Sequence, residues 1–223
     1  IRNDVEYRQL DIENLTQVKE FVAAIMQEYK QINGILHSAG MTADNYILKK
    51  TIPEFNQILK PKVTGTFNLD LACQNIDLDF FVLFSSVASS FGNVGQSDYA
   101  AANGFMDQFA RYRNNLVDAK QRHGKTLAIN WPLWLEGTMR PDQATQGLLQ
   151  QATGRYPMKT VTGMQALYHS LELPHSQILV MEGNLPQIKS LIADQKMQAG
   201  PLLPFQTQPV AVTKEYSETN AST

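Results

Sequence analysis

The sequence predicts an α/β fold with a doubly wound parallel sheet, on two observations. Short apolar segments alternate with longer segments in which apolar residues recur every three or four positions, the pattern of parallel strands joined by helices. Phe80–Phe84 is apolar at every position, as is typical of a strand buried on both faces.

The chain begins with a predicted strand and helix. Val5–Leu10 is the predicted strand. Asn14 is a predicted N-cap, with Gln17 three positions on as its reciprocal partner. The helix that follows carries one apolar stripe, formed by Leu15, Val18, Val22, Ile25, Met26 and Tyr29.

The remaining predicted elements alternate in the same way along the chain. The further strands are predicted from Gly34, over Phe80–Phe84, over Thr126–Asn130 and over Gln177–Met181. The further helices are predicted over 54–75 with an interruption near Pro61, and over 97–116, 142–152 and 163–172.

Composition excludes several classes of function. The chain has 223 residues, is 43% apolar and has a formal charge of −2, as expected for one globular domain without a nucleic-acid-binding surface. No segment approaches the apolar length of a membrane span. Cys73 is the single cysteine, so we expect a reducing, cytoplasmic compartment. One domain is predicted over 1–194, and 195–223, rich in Pro, Gln, Thr and Ser, is predicted to be a linker or disordered tail.

A glycine-rich turn that would hold the phosphates of a dinucleotide is missing from the pattern. The nearest glycines, Gly92 and Gly95, follow the wrong strand, and Ile1 is not an initiator methionine. We therefore expect the first strands and this turn to lie upstream of Ile1 or on another chain.

Residues 84–103, FSSVASSFGNVGQSDYAAAN, place a hydroxyl, a phenol and an amide near one end of the sheet. Ser85 and Ser86 end a strand, and ligands bind beyond the carboxyl ends of such strands. Tyr99 and Asn103 lie four positions apart, so a helix presents both on one face. A phenol has a pKa of about 10, and only a neighbouring cation would make it acidic enough to protonate a ketone as hydride arrives. From these residues alone, a tyrosine packed in the core stays the alternative.

This segment resembles the active-site segment of short-chain dehydrogenase/reductases, in particular of ketoreductase domains from modular type I polyketide synthases. Generic members carry Tyr-x-x-x-Lys, whereas these ketoreductases place the lysine on the preceding long helix and an asparagine after the tyrosine. LKPKVTGTFNL supplies Lys62 there, ahead of the Val-x-Gly-x-x-Asn-Leu pattern, with Lys60 as its competitor. The resemblance implies a Rossmann-like sheet and a catalytic set of Tyr99, Ser86, Lys62 and Asn103.

The resemblance extends to about residue 193 and implies NADPH as the cofactor. YRQLDIEN is similar to the strand whose last residues contact the adenine, and HSAG resembles the Asn-Asn-Ala-Gly turn, where small residues let the backbone approach the ribose. INWPLW matches the Asn-Trp-Gly-x-Trp turn with proline in place of glycine, as in ketoreductases of trans-acyltransferase bacterial assembly lines. The cofactor-binding residues so implied are Asp11, Ile12, Ser38, Ala39, Gly40, Lys62, Tyr99, Pro132 and Leu133.

The implied reaction is transfer of hydride from NADPH to the β-carbonyl of an acyl chain held by an acyl carrier protein. In this scheme Tyr99 donates the proton and Ser86 holds the carbonyl oxygen. Lys62 lowers the pKa of Tyr99 and binds the ribose, while Asn103 holds a water or Lys62 in a proton relay. The implied partners are the acyl carrier protein and the other domains of the same synthase.

Three residues are implied in placing the substrate and setting the product's configuration: Asp44, Phe91 and Gln96. Family members that make the D-configured alcohol carry Leu-Asp-Asp where this chain has Thr42-Ala43-Asp44, and the other class carries a tryptophan where this chain has Phe91. The D-alcohol is therefore favoured, although Asp44 as a plain loop aspartate stays open. The segment from Leu135 to about Thr162 corresponds to a mobile lid over the substrate.

No metal site is predicted, because the histidines show neither HExxH nor Cys/His spacing. Two other functions stay open. A non-reducing structural or docking part of a polyketide synthase would account for the missing glycine-rich turn. A free-standing fatty-acid or small-ketone reductase is disfavoured by the displaced lysine.

Overall fold

Four parallel strands form one sheet in residues 5–137 and 143–198, which the computed structural model describes. Across the sheet they run in chain order, with Gly34 opposite Phe80, Phe80 opposite Lys125, and Ala128 opposite Gln177. Because all four are parallel, their carboxyl ends lie at one edge of the sheet. The strands are Gly34–His37 (β1), Phe80–Ser86 (β2), Lys125–Trp131 (β3) and Gln177–Leu179 (β4).

Helices connect these strands and cover both faces of the sheet. A short 3-10 helix, Ile47–Lys49, lies in the loop after β1. The α-helices are Leu15–Tyr29 (α1), Ile52–Ala72 (α2), Val87–Phe91 (α3), Ser97–Asp118 (α4), Gln143–Thr153 (α5), Thr160–Glu172 (α6) and Leu185–Gln198 (α7). The predicted α/β class with a parallel sheet is confirmed.

Alternation along the two central strands builds two separate cores. Phe81 and Leu83 of β2 pack against α1, α2 and α4, together with Met106 of α4. Val82 of β2 and Leu127 of β3 point to the opposite face and pack with side chains of α6 and the segment before it. Because both faces of the sheet are covered, no residue of β2 or β3 is exposed.

The strand predicted over Val5–Leu10 is wrong. This segment has no regular structure and no ladder partner among the described strands. It lies along α1 instead, because Arg8 bonds Glu28 at 2.7 Å and the Tyr29 hydroxyl donates to Glu6 at 2.9 Å.

The interruption predicted near Pro61 is also wrong, since α2 continues through this residue. Pro61 has no N–H to donate to the carbonyl of Gln57. Gln57 is exposed, so water can satisfy that carbonyl instead. A capping box of Thr51 and Glu54 stabilises the start of the helix.

Helix α7 is not among the sequence predictions, and it extends past the predicted domain boundary at 194. Of the predicted tail over 195–223, the first four residues belong to α7, and 199–223 lies outside the described residues, as does 138–142 of the predicted lid. Within 5–137 and 143–198, none of the helices combines the length and apolar character that crossing a membrane requires.

Candidate active site

Three elements bring the predicted catalytic side chains to the carboxyl edge of the sheet. Ser86 is the last residue of β2 and caps α3, where its hydroxyl accepts from the N–H of Ala88 at 3.2 Å. Tyr99 and Asn103 lie one turn apart at the start of α4, and Lys62 lies in the middle of α2. The turn between α3 and α4 requires φ values of +71° at Gly92 and +81° at Gly95, which glycine adopts without strain.

The phenol of Tyr99 is half-buried and neutral. Burial raises its pKa above the ordinary value, hydrogen bonding to Ser86 and Asn103 lowers it, and the charge of Asp44 raises it, with a net upward shift. A phenol with a raised pKa is protonated at neutral pH. Tyr99 therefore carries its hydroxyl proton at neutral pH.

Lys62 is buried, with its Nζ 5.8 Å from the centroid of the Tyr99 ring. Its ammonium donates to the carbonyl of Phe84 at 2.8 Å, and burial lowers its pKa to about 8, while Asp107 acts to raise it. The pKa of Tyr99 is raised overall, because burial of the phenol outweighs the groups that lower it, so the role of Lys62 in lowering this pKa stays a prediction. Lys60, the alternative candidate for the catalytic lysine, is exposed, and its Nζ lies 4.0 Å from Glu13 Oε2.

Asn103 is fully buried and only half satisfied. Its Nδ2 donates to the backbone carbonyl of Tyr99 at 2.7 Å, so in this structure the amide nitrogen bonds the backbone. Its Oδ1 has no hydrogen-bond partner among the described residues. A buried acceptor without a partner costs about 1–3 kcal/mol, so this oxygen marks a place for an additional donor.

A buried polar network behind Ser86 was missed by the sequence analysis. Asn130, at the end of β3, places Nδ2 3.1 Å from the Ser86 carbonyl, 2.9 Å from Asp107 Oδ2 and 2.6 Å from Ser89 Oγ. Ser89 also donates to the Ser86 carbonyl at 2.8 Å. The network fixes the backbone of Ser86. The sequence contained one indication of this network. Asp107 lies two helical turns beyond Tyr99, on the same helix face.

The turn that follows β1 lies directly against Lys62. A Cβ on Gly40 would lie 2.7 Å from Lys62 Cε, so any residue larger than glycine would displace the lysine side chain. Ser38 and Ala39 are exposed beside it. The structure thus brings Gly40, Lys62 and Tyr99 together.

The other predicted cofactor residues lie before α1 and after β3. Ile12 contacts Gly65 of α2 and its carbonyl accepts from Asn68 at 2.8 Å, whereas Asp11 is exposed and accepts from the N–H of Glu13. Beyond β3, Pro132 and Leu133 are buried and half-buried. The Leu133 carbonyl accepts from Met158 at 2.8 Å.

The predicted stereocontrol residues divide into a bonded pair and a separate ring. Gln96 Nε2 donates to both carboxylate oxygens of Asp44, at 3.1 and 2.9 Å. The guanidinium carbon of Arg155 lies over the Phe91 ring, 5.8 Å from the centroid of that ring. Their roles in product configuration stay predictions.

His37, at the end of β1, is buried and neutral. Burial and the charge of Lys62 lower its pKa to about 4. Its Nε2 lies 3.1 Å from the Pro61 carbonyl, and because a carbonyl only accepts, this nitrogen carries the proton.

We expect this histidine to make the chain acid-sensitive. Its pKa is lower folded (about 4) than unfolded (6.5), so the unfolded chain binds more protons between these values. The free energy of unfolding should therefore fall by roughly 3 kcal/mol as the pH drops from 6.5 to 4. Urea unfolding across this range should give a flatter profile for His37→Asn. His169→Asn, at an exposed side chain, is the control, and equal profiles for parent and His37→Asn would contradict the prediction.

Comparison with known proteins decides the family. A family model described as KR domain matches residues 2–136. The chain belongs to the KR domain family. This KR domain is 46% identical over 210 residues to the polyketide synthase PksN of Bacillus subtilis (strain 168), an alignment that covers 94% of the chain and 4% of PksN.

Solved structures show the fold of this KR domain. The crystal structure of a ketoreductase domain from the bacillaene assembly line superposes with a TM-score of 0.81 at 42% identity, over 83% of this chain and 44% of that one. A short-chain dehydrogenase from Streptomyces avermitilis, at 16% identity, shares the fold with a TM-score of 0.69 over 88% of this chain. The chain thus spans under half of the bacillaene domain. The resemblance to polyketide synthase ketoreductase domains is confirmed.

Proposed function

We propose that this chain is the catalytic half of an NADPH-dependent ketoreductase that reduces a β-ketoacyl group on an acyl carrier protein. The observation that carries the proposal is the grouping of a protonated phenol, a serine hydroxyl and a buried ammonium at one edge of the sheet. Lys62 Nζ lies 5.8 Å from the centroid of the Tyr99 ring, and the Ser86 side chain is close enough to act on the pKa of Tyr99. Membership of the KR domain family and similarity to PksN support it.

The residues present fit one end of a nicotinamide cofactor. At Gly40 no side chain separates the main chain from a cofactor beside Lys62. Asn103 Oδ1 is a buried acceptor without a partner among the described residues. Gly40 and Lys62 would hold the nicotinamide ribose, with Tyr99 facing the reacting carbonyl. We propose that a glycine-rich segment outside these 223 residues holds the phosphates.

When bound, a reduced nicotinamide supplies the hydride that goes to the carbonyl carbon. Ser86 donates a hydrogen bond to the carbonyl oxygen and orients it, helped by the network that fixes the Ser86 backbone. Tyr99 gives its proton to the same oxygen as negative charge develops, so a hydride and a proton together convert the ketone to an alcohol. The Lys62 ammonium then stabilises the phenolate left behind.

Two finer features belong to the same proposal. Asp44 bonds Gln96, which lies at the start of α4 beside Tyr99, and we propose that this pair favours the D-configured alcohol. The acyl carrier protein as partner follows from the similarity to polyketide synthases.

Substitution of the two neighbouring lysines tests the proposal. In a protein that joins this chain to its glycine-rich segment, Lys62→Met should lower kcat/KM for a β-ketoacyl thioester about 100-fold, because the phenolate loses its cation. Lys60→Met, at the exposed position two residues earlier, should change it by less than about twofold, as is usual for surface changes. NADPH oxidation followed by absorbance measures both.

Equal effects of the two substitutions would refute the role of Lys62. Absence of any NADPH oxidation or NADPH-induced fluorescence change in the parent protein would instead favour a structural part of the synthase.

A further inference from the structure

A buried ion pair joins the loop after β1 to the first turn of α4. Lys50 Nζ lies 2.6 Å from Asp98 Oδ2, and the two side chains are 3% and 1% exposed. Removing two charges from water is costly, and a partly exposed pair would tether a loop at lower cost. The degree of burial therefore indicates that this position demands a defined geometry.

Both ends of the pair lie next to parts of the proposed active site. Asp98 precedes Tyr99, and its other oxygen, Oδ1, accepts from the Tyr99 backbone N–H at 2.8 Å. Lys50 precedes Thr51, the N-cap of the helix that carries Lys62. One carboxylate thus bonds the backbone of the proposed proton donor with one oxygen and the loop with the other.

Lys50 also bonds the backbone of its own loop. Lys50 Nζ also donates to the carbonyl of Ala43 at 2.5 Å, seven residues earlier. Residues 43–45, here called the strap, are therefore held from one side by Lys50. On the other side, Asn45 N–H donates to the Gly95 carbonyl at 2.9 Å, and Asp44 accepts from Gln96.

These contacts place the strap against the segment that leads into Tyr99. Asp44, in the middle of the strap, lies close enough for its charge to act on the Tyr99 hydroxyl. A substrate carbonyl that bonds the Tyr99 hydroxyl would lie within reach of the same charge. The position of the strap therefore bears on which face of the ketone meets the hydride.

We infer that Lys50 and Asp98 are positioning residues that hold the strap over Tyr99 and thereby set the configuration of the alcohol. The inference rests on the proposed ketoreductase function and assigns it a specificity-determining ion pair. Lys50 and Asp98 act through Asp44 and the Tyr99 backbone.

The test compares Lys50→Met with Lys49→Met, which makes the same change at the exposed neighbouring residue. Chiral chromatography of the alcohol from a β-ketoacyl thioester gives the ratio of stereoisomers. Lys50→Met should lower this ratio at least about tenfold, while Lys49→Met and Lys50→Arg should keep it within about twofold. The NADPH dissociation constant, from fluorescence titration, should stay within about twofold in all three.

A second measurement does not depend on activity. Chymotrypsin cuts after Tyr46 and Leu48, both exposed in this loop. In the full chain, Lys50→Met should speed cleavage at these two bonds about tenfold, and Lys49→Met should leave the rate at the same two bonds unchanged, with the fragments identified by mass.

The outcomes separate the inference from the function on which it rests. If the parent reduces the thioester and Lys50→Met retains both its stereoisomer ratio and its cleavage rate, the inference is overturned. Faster cleavage without any reduction by the parent supports the tether and refutes the proposed function. Should Lys50→Met fail to fold, the double variant Lys50→Met with Asp98→Asn leaves no buried charge unpaired. An unchanged stereoisomer ratio in that double variant overturns the inference as well.

Discussion

Tyr99→Phe should lower kcat for β-ketoacyl reduction by about 1,000-fold, within the range that a positioned general acid contributes. Phenylalanine keeps the ring and with it the contact to Lys62, whose Nζ lies 5.8 Å from the ring centroid. What it removes is the hydroxyl, which carries the transferable proton. Because binding of the cofactor does not need that proton, the NADPH dissociation constant should change by less than about threefold.

Single-turnover absorbance measures the chemical step, and fluorescence titration measures NADPH binding. Tyr112→Phe is the matched control, since Tyr112 lies on the same helix with half of its surface exposed. It should reduce the thioester at the parent rate. Should Tyr99→Phe do the same, the proton must come from another group and the proposed mechanism is wrong.

The parts of the fold that depend on local pattern were predictable. Phe80–Phe84 is apolar at every position and lies within β2, because a run of this kind is stable only between two covered faces. Asn14 caps α1 as predicted, with its side chain accepting from the Gln17 N–H, because a cap depends on residues within one turn. The predicted reciprocal bond from Gln17 is wrong, since the Asn14 N–H donates to the Asp11 carbonyl.

One failure arises from distant parts of the chain, and another from a local signal. Val5–Leu10 has a strand-like composition, but a strand needs a neighbouring strand, and the side chains of this segment hydrogen-bond residues of α1 instead. Helix α7 had a local signal that was overlooked, since Asn184 accepts from the Gln187 N–H at 3.1 Å as an N-cap does.

Family resemblance named the candidate catalytic residues but could not give their electrostatics. The pKa of Tyr99 rises because of its burial, a property of the packed helices and not of the Tyr-x-x-x-Asn spacing. The Lys50–Asp98 pair joins residues 48 positions apart, and the Asn130–Asp107 contact joins residues 23 apart. Neither spacing has a periodicity that a sequence pattern could reveal.

Asp70→Asn should have the largest effect on stability, lowering the free energy of unfolding by about 3–5 kcal/mol. Asp70, on α2, is buried and accepts from Arg113 Nε at 2.7 Å and from Arg122 Nε at 2.9 Å. Arg113, on α4, is fully buried, and its other nitrogens bond the carbonyls of Gly124 and His123. Loss of the carboxylate's charge leaves a guanidinium inside the protein without a counter-ion, which costs far more than an exposed pair contributes.

The aspartate also joins the two helices that carry the proposed active site, because Lys62 precedes it on α2 and Tyr99 lies on the same helix as Arg113. Urea unfolding followed by circular dichroism measures the loss, with Asp77→Asn as the control. Asp77 is 95% exposed and pairs with His123 at 3.2 Å, so its substitution should cost less than about 1 kcal/mol. If Asp70→Asn costs no more than Asp77→Asn, Arg113 must find another counter-ion or water. The buried pair would then not be what holds α2 against α4.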